Sequence, residues 1–282
     1  MIAVMRFAKG HGTGNDFVLL PDPEGAIELT PHLVAALCDR HRGIGGDGVL
    51  RVVRAAPGTG ADWFMDYLNS DGSYAEMCGN GVRVFARYLV SEGLSAGPEI
   101  GIETRAGVVV AVVGDDMISA TMPTPRVYAE STATIRGQHH PGVAVDVGNP
   151  HLVCAVQDLA AIDLTTVPGY DPLVFPAGVN VELVAVDPEP VEGAQLHVRM
   201  RVFERGSGET MSCGSGACAV AAATLCGDGV VAVDVPGGRL FVTLDGDRCW
   251  LAGPAVIVAH GTVSLDGLPL KDVVGAAGAA GP

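Results

Sequence analysis

Two cysteines in this chain stand in the same local setting. Cys78 opens the turn CGNG and Cys213 opens the turn CGSG, and each turn leads into a stretch with helical character. A helix start carries N–H groups that point along its axis and the positive end of the helix dipole. A thiolate placed there is stabilised, so the thiol is expected to ionise more readily than a free cysteine. The glycines let backbone come close to a bound molecule, and the same N–H groups can hold a carboxylate. One such turn is ordinary structure. A matched pair points to two acid/base groups of similar kind.

The surroundings of the two cysteines match as well. The run FMDYLN ends at Asn69, nine residues before Cys78, and VRMRVFE ends at Glu204, nine residues before Cys213. The offset is 135 for both pairs. GND at 14–16 is echoed by GNP at 148–150, and GIGGDGVL at 43–50 by AGVNVELV at 177–184, near the same offset. Three echoes in one order imply an internal duplication, with each half presenting a cysteine at the start of a buried helix.

Two quasi-symmetric acid/base groups suit the inversion of a stereocentre. One group removes a proton from one face while the other delivers a proton to the opposite face, so one thiol must be ionised and the other protonated. The α-proton of an amino acid is very weakly acidic. Two helix starts aimed at the α-carboxylate would supply preorganised stabilisation of the carbanion. Pyridoxal-phosphate chemistry has no evident lysine, because the only lysines, Lys9 and Lys271, lie near the chain ends. No cofactor is expected. A metal site is not expected either: Cys213-x4-Cys218 lacks the further His or Cys residues that zinc requires.

The elements that must position these groups are mostly short strands. VVVAVVGD (108–115), ISATMP (118–123), HLVCAVQD (151–158), NVELVAVD (180–187), QLHVRMRVFE (195–204) and the pair within 230–247 are rich in β-branched residues and bounded by turn residues. A helix is expected within 30–41, with Thr30 as cap and Pro31 at its first position. After Cys78, residues Val82, Phe85, Ala86, Leu89 and Val90 recur at helical spacing, with Gly93 as a stop. The segment after Cys213 is apolar on nearly every side and ends by Gly227, as in a fully buried helix. Arg83 and Arg87 read as a solvated or salt-bridged stripe.

Composition narrows the partners. The chain has 282 residues, is about half apolar, and carries a formal net charge of −15. Nucleic acids and anionic membranes would be repelled. No signal-peptide core and no apolar run near the ~20 residues of a membrane span is evident, so a soluble cytoplasmic protein is expected. The seven cysteines, irregularly spaced, read as free thiols; Cys38, Cys154, Cys218, Cys226 and Cys249 are expected to be inert core residues. The tail GAAGAAGP (275–282) is expected to be loose.

The stretches KGHGTGNDFV (9–18), NSDGSYAEMCGNGVRVFARYL (69–89), VDVGNPHLV (145–153), AGVNVELV (177–184), RVFERGSGETMSCGSGACA (201–219) and GPAVIVAHG (253–261) together resemble diaminopimelate epimerases over nearly the whole chain. The resemblance implies interconversion of LL- and meso-2,6-diaminopimelate by a homodimer. It implies Cys78 and Cys213 as catalytic groups, His151 and Glu204 as auxiliary groups close to them, and Gly79-Asn80 and Gly214-Ser215 as turns holding the reacting carboxylate. Asn15, Asn69, Asn149, Asn180, Glu204 and Arg205 match substrate contacts. Where relatives often carry a polar side chain, this sequence has Gly48, and Ser70 replaces the more usual alanine. The substrate bears an amino-acid group at each end, so Arg205 suits the distal carboxylate, and asparagines, which donate and accept, suit a mixed ammonium/carboxylate group.

The resemblance further implies an α/β (α+β) fold of two pseudo-symmetric domains, each a mixed, barrel-like β-sheet round its central helix. Residues 1–123 plus 263–282 are expected in one and 124–262 in the other, with GTVSLDG (261–267) returning as a strand to the first. A proline racemase or hydroxyproline epimerase is the nearest alternative, and a non-catalytic binder or thiol-redox protein the alternative of another class. Each asparagine alone would read as a turn residue, and His151 alone as an interior histidine.

Overall fold

The computed structural model describes residues 4–270; the expected loose tail lies outside them. In chain order the elements are β1 (Val4–Gly12), β2 (Asn15–Pro21), α1 (Pro31–Cys38), β3 (Gly48–Arg54), β4 (Trp63–Asn69), α2 (Gly79–Ser91), β5 (Glu99–Thr104), β6 (Gly107–Val113) and β7 (Ile118–Met122). There follow β8 (Arg126–Ile135), β9 (Gln138–Asp146), β10 (Pro150–Ala155), β11 (Asn180–Val186), β12 (Leu196–Glu204), β13 (Gly208–Thr210), α3 (Gly214–Thr224), β14 (Gly229–Val235), β15 (Gly238–Asp245), β16 (Arg248–Gly253) and β17 (Val256–Ser264). The described chain forms two compact units. One holds the residues up to His11, Asp16–Ala111 and those from Val256 onward; the other holds Gly12–Asn15 and Val112–Ala255. The chain passes from the first unit to the second within β6, earlier than position 123, because β7 pairs with β16 of the second unit.

The duplication is visible in the strand pairing. In the first unit β2 runs parallel to β3, β3 antiparallel to β4, and β4 parallel to β5. In the second, β10 runs parallel to β11, β11 antiparallel to β12, and β12 parallel to β14. The Cys-led helix lies in sequence between the third and fourth of these strands in each. The terminal strand β17 pairs antiparallel with β1, as β8 pairs with β9. β17 thus returns to the first unit, beginning at Val256, ahead of the GTVSLDG segment.

Each helix packs on strands of its own unit. The buried residues of α2 include Val82, Phe85 and Leu89, and the helix packs on β3, β4, β5 and β17. Helix α3 carries Ala217, Cys218, Ala219, Val220 and Ala221 with no exposure at all. It touches β8–β11 and β14–β16, so the sheet surrounds it. Small residues on every side let strands approach from every side, which explains the lack of an amphipathic pattern. Helix α1 starts as expected: the Thr30 hydroxyl accepts from Leu33 N–H at 3.2 Å, and Pro31 follows.

Two expectations need correction, and one hairpin escaped the sequence reading. Arg83 is fully buried, not on a solvated stripe. Cys226 is exposed, because α3 ends at Thr224 and the thiol falls in the turn beyond it. The β8–β9 hairpin did not stand out in the sequence, since polar Glu, Ser, Thr and His residues interrupt its apolar alternation. Its turn uses Arg136 (φ 48°) and Gly137 (φ 79°), the left-handed pair of a tight hairpin.

Leu89 is fully enclosed within the first unit. Replacing it with alanine is expected to cost about 2–5 kcal/mol through lost transfer energy and the cavity left behind. A urea titration followed by circular dichroism should give a lower midpoint.

Candidate active site

Cys78 is the N-cap of α2. Its backbone is extended (φ −141°, ψ 118°), and its Sγ accepts from the Gly81 N–H at 3.4 Å. Cys213 caps α3 in the same way (φ −123°, ψ 115°), with its Sγ accepting from the Gly216 N–H at 3.3 Å and lying 3.5 Å from the Ser215 hydroxyl. A capping side chain ordinarily accepts one of the first N–H groups of its helix, and here the acceptor in both copies is sulfur. The cap fixes each thiol beside the N–H groups of the two residues that follow it: Gly79-Asn80 in one unit, Gly214-Ser215 in the other.

In the first unit, Asn80 is buried and its Oδ1 accepts from Arg83 at 2.9 Å, while Arg83 also reaches the Gly79 carbonyl at 3.2 Å. The buried guanidinium therefore braces the turn that follows Cys78. Asn69, the last residue of β4, gives its Nδ2 to the Ser73 hydroxyl at 3.0 Å, holding the loop that leads to Cys78. Asn15 opens β2. Gly48 pairs with Asn69 across β3 and β4. A methyl group on Gly48 would lie 2.5 Å from the Leu68 carbonyl and 2.7 Å from the Tyr67 ring, so this backbone leaves no room for a side chain here.

The second unit gathers the larger set of expected residues. His151 is fully enclosed; its Nδ1 lies 2.7 Å from Glu182 Oε1 and its Nε2 3.0 Å from Asn149 Oδ1. Asn180, also buried, gives its Nδ2 to the Pro150 carbonyl at 3.2 Å and accepts the Arg205 backbone N–H at 2.9 Å. The Arg205 side chain is exposed and donates to the Ala177 carbonyl. Glu204 accepts from the Thr210 hydroxyl and hydrogen-bonds with Cys213. Asn180 and Asn149 therefore carry structural bonds here, one tying β11 to Arg205 and the other orienting a histidine.

The helix start does not make Cys213 an easily ionised thiol. Burial pushes its pKa well above the ordinary value, and Glu204 and Glu182 push it further; the Ser215 and Gly216 hydrogen bonds act in the opposite direction and lose. The magnitudes agree: a helix N-terminus is worth about 0.3–1 kcal/mol, whereas burying an unpaired charge costs several. Burial also raises the Glu204 carboxyl, with Glu182 adding to the shift. Cys213 thus rests as a thiol. Of the thiols expected to be inert, Cys38 is pushed up to about 12 and Cys154 to about 11, both mainly by burial. Among the described residues no group of three or more His, Cys, Asp or Glu side chains is placed to hold a metal ion.

Two residues here escaped the sequence reading. Glu182 sits in a strand whose residues are buried from Asn180 to Ala185, and one acidic residue inside the apolar run NVELVAV was the available signal. Arg83 lies at the buried face of α2, where a charge at helical core spacing was the signal.

Solved structures with this architecture include a phenazine-biosynthesis PhzF-family protein from Bacillus anthracis (18% identity, TM-score 0.67, covering 93% of this chain and 99% of that one). Another is a hydroxyproline epimerase from Agrobacterium vitis (16% identity, TM-score 0.64, covering 93% of each chain). The fold is therefore the two-unit fold shared by PhzF-family proteins and hydroxyproline epimerases. The family model for diaminopimelate epimerase matches residues 7–127 and 143–265, one stretch for each half. Relatives named diaminopimelate epimerase include one from Rhodococcus erythropolis, 48% identical over 93% of this chain and 97% of its own length. A second, from Corynebacterium glutamicum, is 48% identical over 92% and 98%. The chain belongs to the diaminopimelate epimerase family.

The glycines that supply the capping N–H groups differ in their need to be glycine. A methyl at Gly216 would lie 2.7 Å from Glu182 Oε1, 3.2 Å from Cys213 Cβ and 3.3 Å from its sulfur. At Gly81 the nearest atoms, on Cys78, Leu50 and Phe17, are 3.5–3.6 Å away, an ordinary contact. Gly216→Ala is expected to destabilise the protein by about 1–3 kcal/mol through overpacking. Gly81→Ala should be neutral or stabilising, by up to about 1 kcal/mol of helix propensity. Denaturant midpoints of the two variants, measured side by side, check this difference.

Proposed function

We infer that this protein interconverts LL- and meso-2,6-diaminopimelate by two-base proton transfer at the α-carbon, with Cys78 and Cys213 as the two groups and no cofactor. The supporting observation is the matched cap: two cysteines, each fixed by its sulfur at the start of a buried helix, in two halves of one duplicated fold. In one direction a thiolate takes the α-proton while the other thiol gives its proton to the opposite face. The atoms balance: one S–H bond forms, one breaks, and the two thiols exchange protonation states. The reverse reaction swaps the roles. Cys213, held as a thiol in the free protein, is ready to donate first.

The carbanion passes its charge into the α-carboxylate. The backbone N–H groups of Gly79-Asn80 and Gly214-Ser215 suit that carboxylate, since they belong to helix starts. Glu204 hydrogen-bonds with Cys213 and supports its protonated form. Arg205 is exposed and bears a guanidinium fork that fits the distal carboxylate. Asn15, Asn69, Asn149 and Asn180 complete the proposed substrate contacts; where their amides already bond within the protein, they would exchange or share those bonds. His151 acts as an auxiliary group. Among the described residues no helix is long and apolar enough to cross a membrane. The proposal extends to a cytoplasmic homodimer on the family resemblance alone, and a solution mass from light scattering tests the dimer.

Cys78→Ala and Cys213→Ala are each expected to lose epimerisation by a factor of at least about 100 while keeping the native circular dichroism spectrum. Incubation with LL-diaminopimelate in D2O, followed by NMR, reads both inversion and α-deuteration. Near-wild-type inversion by either variant would rule out the two-base assignment. Arg205→Lys keeps the charge but loses the fork. It should raise KM for diaminopimelate by about ten-fold, the value of one strong charge-assisted contact, with little change in the denaturant midpoint.

A further inference from the structure

The turn between β1 and β2 holds a strained residue. The two strands pair, and only Thr13 and Gly14 join them. Both residues lie at positive φ, 50° and 83°. A two-residue turn with both φ values positive favours Asn, Asp or Gly at its first place. A β-branched side chain there is an outlier, and such strain persists only where the surrounding structure enforces it. Among the described residues Arg136 is the other non-glycine at positive φ, and it is exposed. Thr13 is 1% exposed.

What encloses Thr13 belongs to the second unit, as do Gly12–Asn15 themselves. The Thr13 hydroxyl lies 2.6 Å from the Ser212 hydroxyl, a bond between two buried side chains 199 residues apart in the chain. The Thr13 carbonyl approaches the β14–β15 turn so closely that a methyl on Gly237 would run into it. The Gly237 N–H donates to the Met211 carbonyl at 3.0 Å. A methyl on Gly14 would lie 3.1 Å from the Met211 side chain. Met211, Ser212 and Gly237 thus grip the Thr13-Gly14 turn.

Each side of this grip adjoins a site residue. Asn15, next after Gly14, opens β2 and is a proposed substrate contact. Cys213, next after Ser212, caps α3. The duplicated plan does not itself call for hydroxyls here. The echo of GND at 148–150 is preceded by Val147, where Thr13 precedes the first copy, and Cys78 is preceded by Met77, where Ser212 precedes Cys213. Two hydroxyls that the other copies lack therefore meet beside one of the two thiols.

We propose that Thr13 and Ser212 are positioning residues: their hydroxyl bond locks the strained turn that presents Asn15 to the residue that carries Cys213, so that a substrate contact and an acid/base thiol keep one fixed geometry. The bond offsets strain at Thr13, and its loss lets the turn and the helix start shift independently. Proton transfer depends steeply on alignment, so small shifts are costly to rate. The inference rests on the reading of Asn15 and Cys213 as site residues.

The test sets stability against turnover in the full-length enzyme, with three variants: Thr13→Val, Ser212→Ala and the two combined. Each single variant leaves one buried hydroxyl unpaired at this bond and should lower the denaturant midpoint. The double variant removes both hydroxyls, and its midpoint should return towards that of the unsubstituted protein. In all three, kcat for diaminopimelate inversion should fall by about ten-fold or more in both directions. If the pair serves only the fold, kcat recovers with the midpoint in the double variant, and that recovery overturns the proposal. Thr13→Ser keeps the hydroxyl and should retain most of kcat; a loss equal to that of Thr13→Val overturns it too. A second readout does not need turnover. In Ser212→Ala, hydrogen exchange followed by mass spectrometry should be faster in peptides covering residues 12–16 as well as 213–216; unchanged exchange at 12–16 shows that the two segments are not coupled and overturns the proposal. Inversion persisting in Cys213→Ala would instead remove the two-thiol reading and leave the exchange result to judge the coupling by itself.

Discussion

A cysteine can cap a helix only if its sulfur accepts an N–H that the helix would otherwise leave outside its own ladder, and the structure of this protein is organised round two such caps. The bonds run from Gly81 N–H to Cys78 and from Gly216 N–H to Cys213, at 3.4 and 3.3 Å. Sulfur is a weak acceptor, so the bond contributes little stability. Its value is positional: it holds the sulfur at the positive end of a helix. The rest of each unit keeps that end in place. The strands wrap the helix, the helix buries every side it can, and the turn before it is braced by Asn69 in one unit and by Glu204 with Thr210 in the other.

Burial has an electrostatic consequence that works against ionisation. The same enclosure that orders Cys213 removes water from it, and desolvation exceeds what a helix dipole returns. The thiol is then governed by which side chains share its enclosure. Carboxyls at Glu204 and Glu182 hold it protonated. In the first unit the fifth residue after the cysteine is Arg83, fully buried and bonded to Gly79 and Asn80; in the second it is Cys218, also fully buried. A cation braces one helix start, and a small neutral residue occupies the same place in the other. The fold duplicates geometry and then diverges in charge.

Much of the fold was legible because duplication leaves two readings of each element. The paired spacing from Asn69 to Cys78 and from Glu204 to Cys213 survives as the last residue of a strand and the cap of a helix in both units. The strands at 180–186 and 196–204 and the all-apolar helix at 214–224 fell where β-branched residues and the lack of a polar face placed them. The β8–β9 hairpin was not legible, because its polar residues interrupt the alternation that marks a half-buried strand, although β9 pairs on to β10 and Ala133, Ile135 and Ala144 enter the core. The crossing within β6 was not legible either: it depends on β7 joining β16, a partner more than a hundred residues away.

The sequence by itself determined the two thiols, their setting at helix starts, the duplication that pairs them and the family. All of these are local patterns or repeats of local patterns, fixed by chain order and residue type. Only the tertiary structure decided what lies beneath each thiol. Glu182 comes to Cys213 across thirty-one residues, and His151 comes to Glu182 from the neighbouring parallel strand, at a register that sequence does not print. The direction of the Cys213 pKa was likewise a tertiary outcome. A helix start, which the sequence shows, favours the thiolate; burial among carboxyls, which it does not show, favours the thiol, and the larger effect prevails.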